Sequence, residues 1–204
     1  MTGDTRKKLI IDTDCGSDDA MAIAMALRDP AYEILMFTIV SGNVEADQAA
    51  RNTLLTIERA GSCEPPVYMG ARNMLLKELA FAYETHGQDG MGDLGLAPER
   101  LRLGEGHGVW RMLEALRDSE EGEIDIITLG PLTNLALALR LEPETVKKAG
   151  RVVVMGGAGF GGGNVTAAAE FNIWQDGEAA KIVMEAGLKN LMLVGWDACL
   201  GESM

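Results

Sequence analysis

Short, continuously apolar segments alternate with helix-like segments along nearly the whole chain of 204 residues. Six of these segments are predicted as strands: 9–11, 34–40, 67–69, 124–129, 151–155 and 191–194. Five segments with helical spacing lie between them: 18–27, 45–60, 109–117, 132–141 and 177–186. Strands without polar alternation are typical of a parallel sheet that helices cover on both faces. The pattern therefore predicts an α/β fold with a mainly parallel, doubly wound sheet.

The apolar content and the last predicted strand indicate the extent of the domain. With 47% apolar residues, the chain can form one sizeable core, and we expect a single domain over residues 1–204. The helix at 18–27 is apolar on nearly every side and is expected to be buried. The segment 191–196 is typical of an interior strand, yet only eight residues follow it. One covering helix is therefore lacking, and we expect the domain to be truncated at its C-terminus.

Composition restricts the possible partners and the compartment. The net charge of −13 argues against nucleic acid and anionic membranes, which require clustered Lys and Arg. Cys15, Cys63 and Cys199 are odd in number and widely spaced, so they predict neither a disulfide framework nor a zinc site. The N-terminal segment lacks the apolar stretch of a signal peptide. A cytoplasmic protein without a membrane segment is expected.

Four aspartates, Asp12, Asp14, Asp18 and Asp19, fall within eight positions between the first strand and the first helix. Like charges this close destabilise a fold unless a cation or dense hydrogen bonding offsets them. Carboxylate and hydroxyl oxygens suit Ca²⁺ or Mg²⁺ rather than Zn²⁺. The structural alternative is an acidic turn in which Ser17 or Asp18 caps the helix. The position at the carboxyl end of a strand, where open α/β sheets bind ligands, favours a metal or sugar site.

Polar side chains also follow the later strands. They include Asn43, Asn164, Glu170 and Asn172, whose groups are suited to binding sugar hydroxyls. The Gly-rich segment 156–163 does not match the dinucleotide-binding spacing and is predicted to be a loop that borders the site. For the two tryptophans that could stack on a base, Trp174 and Trp196, packing in the core is favoured.

Together these residues resemble the inosine-uridine-preferring nucleoside hydrolases. The matching segments are 12–19 (DTDCGSDD), 41–44 (SGNV), 86–87 (HG), 130–134 (GPLTN), 163–166 (GNVT), 169–172 (AEFN) and 176–180 (DGEAA). The resemblance covers nearly the whole chain and implies a nucleoside hydrolase-like α/β fold. It also implies Ca²⁺-dependent hydrolysis of the N-glycosidic bond of ribonucleosides, within a homodimer or homotetramer.

The same resemblance implies a role for each matching residue. Asp14 and Asp19, with the backbone carbonyl of Leu129, would bind Ca²⁺, and Asp14 would be the general base. The ribose hydroxyls would be held by Asp18, Asn43, Asn164, Glu170 and Asn172. Met155 would lie beneath the sugar, His86 near the base, and Asp12 would support the site.

Three departures from the family pattern bear on activity. Cys15 stands where the family commonly has Pro, and the segment 196–199 (WDAC) replaces the usual Asp-Val-Thr. Family chains also continue further and there supply another Asp ligand and commonly the His that protonates the leaving base. If Met204 is the true end, weaker Ca²⁺ binding and impaired catalysis are expected. A nucleoside- or ribose-binding protein without catalysis and a metal-dependent phosphohydrolase therefore stay open as alternatives.

Overall fold

The computed structural model describes residues 6–201, and its central element is a six-stranded sheet. The strands are β1 Lys7–Thr13, β2 Tyr32–Ile39, β3 Val67–Met69, β4 Ile124–Thr128, β5 Val152–Met155 and β6 Leu191–Val194. They are arranged in the order β3-β2-β1-β4-β5-β6, and every neighbouring pair is parallel. The predicted parallel sheet is confirmed.

Helices follow the strands. They are α1 Ser17–Arg28, α2 Ala46–Ala60, α3 Tyr83–His86, α4 Gly108–Asp118, α5 Thr133–Leu141, α6 Pro143–Val146, α7 Phe171–Gln175 and α8 Gly177–Glu185, with a 3-10 helix at Trp196–Cys199. The five longer helices were predicted within two residues at each end. The short helices α3, α6 and α7 were not predicted, because four or five residues show no periodicity.

Two apolar layers hold the helices against the sheet, one on each face. Leu9 and Ile11 of β1 pack with the buried residues of α1 and α2. Ile10, which points to the opposite face, packs with the buried residues of α4, α5 and α8. The alternation follows from the two-residue period of a strand. The doubly wound arrangement is therefore confirmed.

The chain reverses its direction across the sheet at β1 and β4. From β1 it proceeds through β2 to β3 on one side, and from β4 through β5 to β6 on the other. In a doubly wound sheet, the loops that follow such neighbouring strands diverge and leave a crevice at their carboxyl ends. Asp14 follows β1 and Leu129 follows β4, so the candidate ligands lie at this crevice.

One expectation about burial is wrong. Helix α1 is not buried on all sides, since Met21 and Met25 are 69% and 71% exposed. Strand β6 is an edge strand in the described sheet, and Met192 and Leu193 on its opposite faces are both exposed. Among residues 6–201, no helix is long and apolar enough to span a membrane.

Candidate active site

The loop between β1 and α1 is ordered by hydrogen bonds to the carboxylate of Asp19. Thr13 Oγ1 donates to Asp19 Oδ1 at 2.6 Å, and the backbone N–H of Gly16 donates to Asp19 Oδ2 at 3.1 Å. Gly16 is the N-cap of α1, so the structural alternative in which Ser17 or Asp18 caps this helix is not observed. Glycine has no side chain that could cap the helix. The start of α1 is instead stabilised by the Asp19 carboxylate, which accepts the backbone N–H of Gly16.

Asp14 is fully buried at the floor of this loop. Its Oδ2 accepts the backbone N–H of Asn43 at 2.6 Å. Its Oδ1 has no hydrogen-bond partner among the described residues. The loops are packed closely around it, because a Cβ added to Gly130 would lie only 2.7 Å from Asp14 Oδ1. A buried carboxylate oxygen without a partner is costly, and it is available for a cation or a water molecule.

The carboxylates of this site have shifted pKa values. Burial, and then the charge of Asp19, raises the pKa of Asp14 well above its usual range. Burial, and then the charge of Asp18, also raises the pKa of Asp19. Both shifts show that the site stabilises negative charge poorly by itself. A bound cation would offset this cost.

Asp12 supports the site from within the sheet. Its Oδ1 accepts the hydroxyl of Thr38 and, at 2.8 Å, the side-chain amide of Asn134. Burial raises its pKa to about 6, although both hydrogen bonds act in the opposite direction. Asn134 also donates to the carbonyl of Ile39. Asp12 therefore connects β1 to β2 and to the start of α5.

The site contains a cavity of about 300 Å³. All the residues that were predicted to contact the substrate line it, together with two of the predicted metal ligands: Asp18, Asp19, Asn43, His86, Leu129, Met155, Asn164, Glu170 and Asn172. Asp14 does not line the cavity, but it is hydrogen-bonded to Asn43, which does. The sequence-based hypothesis thus identified residues that the fold brings together, although their individual roles stay predictions.

Glu170 and Asn172 are held rigidly at the start of α7. Glu170 is the N-cap, and its carboxylate accepts the N–H groups of Asn172 at 2.9 Å and Gly157 at 2.8 Å. The side-chain amide of Asn172 donates to the carbonyl of Leu129 at 2.7 Å and to that of Met155 at 3.2 Å. Asn172 therefore joins the ends of β4 and β5, and its position is set by both strands.

The donor set fits a hard divalent cation. Asp14 Oδ1 is unpartnered, Asp19 supplies a second carboxylate, and the carbonyl of Leu129 keeps one lone pair beside its bond to Asn172. Oxygen ligands of this kind are typical for Ca²⁺. Within residues 6–201, no three His, Cys, Asp or Glu side chains converge on one point, so a cation would rely on carbonyl, substrate or solvent oxygens as well.

The two histidines have different surroundings. His86, at the end of α3, lines the cavity, and its Nδ1 lies 2.9 Å from Ser17 Oγ. His107 is the N-cap of α4 and accepts the N–H of Val109, so it has a structural role. The family resemblance had implied a role near the base for His86.

Trp196 is a cavity residue that the sequence interpretation assigned to the core. Packing in the core was favoured for it, yet it lines the cavity and is partly exposed. Its backbone N–H donates to the carbonyl of Gly157 at 2.8 Å, and Asp197 next to it accepts the N–H of Gly161 at 2.6 Å. The 3-10 helix thereby holds the Gly-rich loop, which continues to Asn164 and borders the site as predicted. The position of Trp196 after β6, at the carboxyl edge, was the available indication.

The fold and site define an α/β protein with a carboxylate-rich, polyol-sized cavity, and comparisons with known proteins agree. The family model for inosine-uridine preferring nucleoside hydrolases matches residues 9–204. A probable uridine nucleosidase of Arabidopsis thaliana is 44% identical over 184 residues, 89% of this chain and 57% of the relative. The pyrimidine-specific ribonucleoside hydrolase RihB of Escherichia coli is 36% identical over 192 residues, 94% of this chain and 60% of the relative.

Solved structures show the same likeness. A plant nucleoside hydrolase matches with a TM-score of 0.88 and 39% identity, over 94% of this chain and 60% of that one. The purine-preferring ribonucleoside hydrolase of Gardnerella vaginalis matches with the same TM-score and 33% identity, over 94% of this chain and 61% of that one. The chain belongs to the inosine-uridine preferring nucleoside hydrolase family. It spans about 60% of the length of these relatives.

Proposed function

We propose that the cavity binds a ribonucleoside together with Ca²⁺, and that the chain contributes these residues to hydrolysis of the N-glycosidic bond, giving free base and ribose. The observation that carries the proposal is the arrangement of Asp14. Its Oδ1 is buried and unpartnered, and its Oδ2 is hydrogen-bonded to Asn43, which lines the cavity together with other polar side chains. Family membership supports the same activity.

Cleavage of an N-glycoside passes through an oxocarbenium-like state in which the ribose ring becomes positively charged. Asp18, Asp19 and Glu170 line the cavity, and together with the buried Asp14 they would stabilise this charge. A bound Ca²⁺ would supply a Lewis acid that polarises the attacking water and orients the sugar. Asp14 would accept the proton of that water at Oδ1, which has no hydrogen-bond partner among the described residues.

Orientation of the ribose would come from the side chains that remain free to bind it. Asn164 uses its Oδ1 to accept the N–H of Phe171 at 2.8 Å, which leaves its amide N–H groups for a hydroxyl. Asn43 and the carboxylate of Glu170 lie on the same cavity. Met155 would form an apolar floor under the sugar. Because these groups are already held by the backbone, little ordering is needed on binding.

The base preference is open within the proposal. The names of the relatives cover uridine nucleosidases, a pyrimidine-specific hydrolase and a purine-preferring hydrolase. Among the described lining residues, Trp196, Phe171 and His86 are the ones that could contact a base. A cytoplasmic location and a dimer or tetramer also stay predictions.

The two alternative functions differ in what the cavity must contain. A phosphohydrolase needs cationic groups for the phosphate, and no Lys or Arg is among the described residues that line the cavity. This absence disfavours it. A binding protein without catalysis would need the same ribose and Ca²⁺ ligands, so only an assay can separate it from the hydrolase.

The test is reducing-sugar release from uridine and inosine, with Ca²⁺ or with a chelator. We expect sugar release to require Ca²⁺ and to be lost in Asp14→Ala. Asp125→Asn is the matched control, since Asp125 is equally buried but pairs with Arg151 near the other end of β4. Saturable, Ca²⁺-linked nucleoside binding without release would identify a binding protein. Phosphate release from nucleotides without sugar release would identify a phosphohydrolase.

A further inference from the structure

Ser17 and His86 form a side-chain pair at the edge of the cavity. Ser17 Oγ lies 2.9 Å from His86 Nδ1, which is hydrogen-bond distance. Only His86 of the two lines the cavity. The pair therefore connects a residue that can contact a ligand with one that does not.

Both members of the pair are held by their backbones. Ser17 is the first residue of α1, directly after the N-cap Gly16. The N–H of His86 donates to the carbonyl of Ala82 at 3.0 Å, and its own carbonyl accepts the N–H of Gly92 at 2.7 Å. A Cβ added to Gly16 would lie 3.1 Å from His86 Nδ1, which shows that the ring packs closely against the start of α1.

The nearest charged group does not replace this hydrogen bond. Asp18 Oδ1 lies 3.8 Å from His86 Nδ1, beyond hydrogen-bond distance, and the Asp18 side chain is largely exposed. Ser17 is thus the direct partner of Nδ1. Whether the partner of one ring nitrogen donates or accepts determines which nitrogen of a histidine carries the proton, and a hydroxyl can do either.

We propose that Ser17 is a positioning residue that sets the tautomer of His86 for nucleoside recognition. With the Ser17 hydroxyl as donor to Nδ1, the proton of the neutral ring resides on Nε2. The ring edge that carries Nε2 is then left for the cavity and donates a hydrogen bond to an acceptor atom of the bound nucleoside. This inference rests on the proposed function of the site, because it concerns how that site recognises its substrate.

The first experiment observes the tautomer directly and does not require activity. The chain has only two histidines, so a long-range ¹H–¹⁵N spectrum of the imidazoles at about pH 8 contains two spin systems. We expect His86 to show a protonated Nε2 in the wild type and in Ser17→Thr, and a mixture of tautomers in Ser17→Ala. His107, whose Nδ1 accepts a backbone N–H, is the internal reference for an intact fold.

The second experiment measures nucleoside binding and turnover in the same three proteins. A hydrogen bond that is equally strong in the ground and transition states affects KM and leaves kcat unchanged. Ser17→Ala should raise KM or Kd for uridine or inosine several-fold, roughly the effect of one hydrogen bond, and Ser17→Thr should restore it. A purely structural role would instead reduce the active fraction, lowering kcat at constant KM.

The outcomes separate the inference from the proposed function. A protonated Nδ1 in the wild type, or spectra and KM values that Ser17→Ala leaves unchanged, overturns the inference. If the Ser17-dependent tautomer is present but no nucleoside binds, the proposed function fails, and with it the recognition role of Nε2. Hydrolysis with an unchanged KM in Ser17→Ala leaves the function intact and removes the role of Ser17.

Discussion

The Asn43 backbone N–H and Asp14 Oδ2 form a 2.6 Å hydrogen bond that connects the loops after β1 and β2. It satisfies one oxygen of Asp14 and leaves the other without a partner among the described residues. The fold therefore fixes the carboxylate in place but does not compensate its charge. Several measurable properties depend on this imbalance.

Asp14→Asn is expected to stabilise the protein when no metal is present. The amide oxygen can still accept the N–H of Asn43, and the buried charge is removed. At pH 8 in a chelator, we expect a gain in the free energy of unfolding on the order of 1 kcal/mol, a usual size for the effect of a single substitution. In Ca²⁺, the wild type should gain stability and the variant should not.

Chemical denaturation measures both effects. Asp125→Asn is the control, because Asp125 is buried but its charge is paired with Arg151 at 2.8 Å. That variant should lose stability in the chelator. If Asp14→Asn also lost stability in the chelator, the conclusion that the charge of Asp14 is poorly compensated would be wrong.

The metal-free protein is expected to lose stability as the pH rises from about 4 to 7. The pKa of Asp12 is raised to about 6 by burial, and burial also raises the pKa values of Asp14 and Asp19. An unfolded chain releases these protons near pH 3.9, so the folded state binds more protons above that pH. Stability then falls with rising pH until the folded groups have titrated.

Thermal unfolding at pH 5 and at pH 8, in a chelator and in Ca²⁺ at matched ionic strength, checks this sign. The stabilisation by Ca²⁺ should be larger at pH 8, where the carboxylates are ionised. At the acid end Glu58 acts in the opposite direction, since backbone hydrogen bonds from residues 99–101 lower its pKa to about 2. Its contribution is present above about pH 4.5 and is lost as the pH falls towards 2. A metal-free melting temperature that rises from pH 5 to pH 8 would be the contrary result.

Gly130→Ala should weaken Ca²⁺ binding by displacing Asp14. The new Cβ would lie 2.7 Å from Asp14 Oδ1, so the carboxylate or the loop after β4 must move. Overpacking of this kind costs about 1–3 kcal/mol, which corresponds to a loss of roughly 5- to 100-fold in affinity. Calorimetric titration with Ca²⁺ measures it.

Gly177→Ala is the matched control. A Cβ at Gly177 meets nothing within 4 Å, and the residue begins α8. Its Ca²⁺ affinity should equal that of the wild type. Equal affinity in Gly130→Ala would show that Asp14 is not a ligand in its observed position.

Asp197→Ala should loosen the Gly-rich loop. Asp197 accepts the N–H of Gly161 at 2.6 Å, and this loop leads to Asn164 on the cavity. We expect faster hydrogen exchange at Gly161 and a several-fold loss in nucleoside affinity, because the ribose contact is less well positioned. The exposed Glu121, which pairs with Lys189, provides Glu121→Ala as the control. Unchanged exchange at Gly161 in Asp197→Ala would count against this anchoring.

The sheet and its order along the chain could be predicted because buried parallel strands are apolar on both faces. The strand limits were less certain where pairing continues beyond the apolar residues. In β1, Lys7 and Lys8 still pair with β2, although their side chains are partly exposed. Backbone hydrogen bonding does not depend on the side chain, so composition could not indicate this extension.

Burial was predicted wrongly for residues whose surroundings depend on segments that are distant in the sequence. Met21 and Met25 are exposed because α1 packs through the face that carries Ile23 and Leu27, and an apolar sequence does not reveal which side faces the sheet. Trp196 was assigned to the core because most tryptophans are largely buried. Its place at the cavity follows from its bond to Gly157, a loop 39 positions earlier. Such contacts between loops leave no periodic pattern.

Cys15 lies within the aspartate loop, and its thiol is completely buried. Burial raises the pKa of this thiol well above its usual range, whereas Cys63 and Cys199 are exposed. A thiol reagent should therefore modify two cysteines at once and the third only when the loop opens. The labelling rate of Cys15 therefore measures how often the loop of the candidate active site opens by local unfolding.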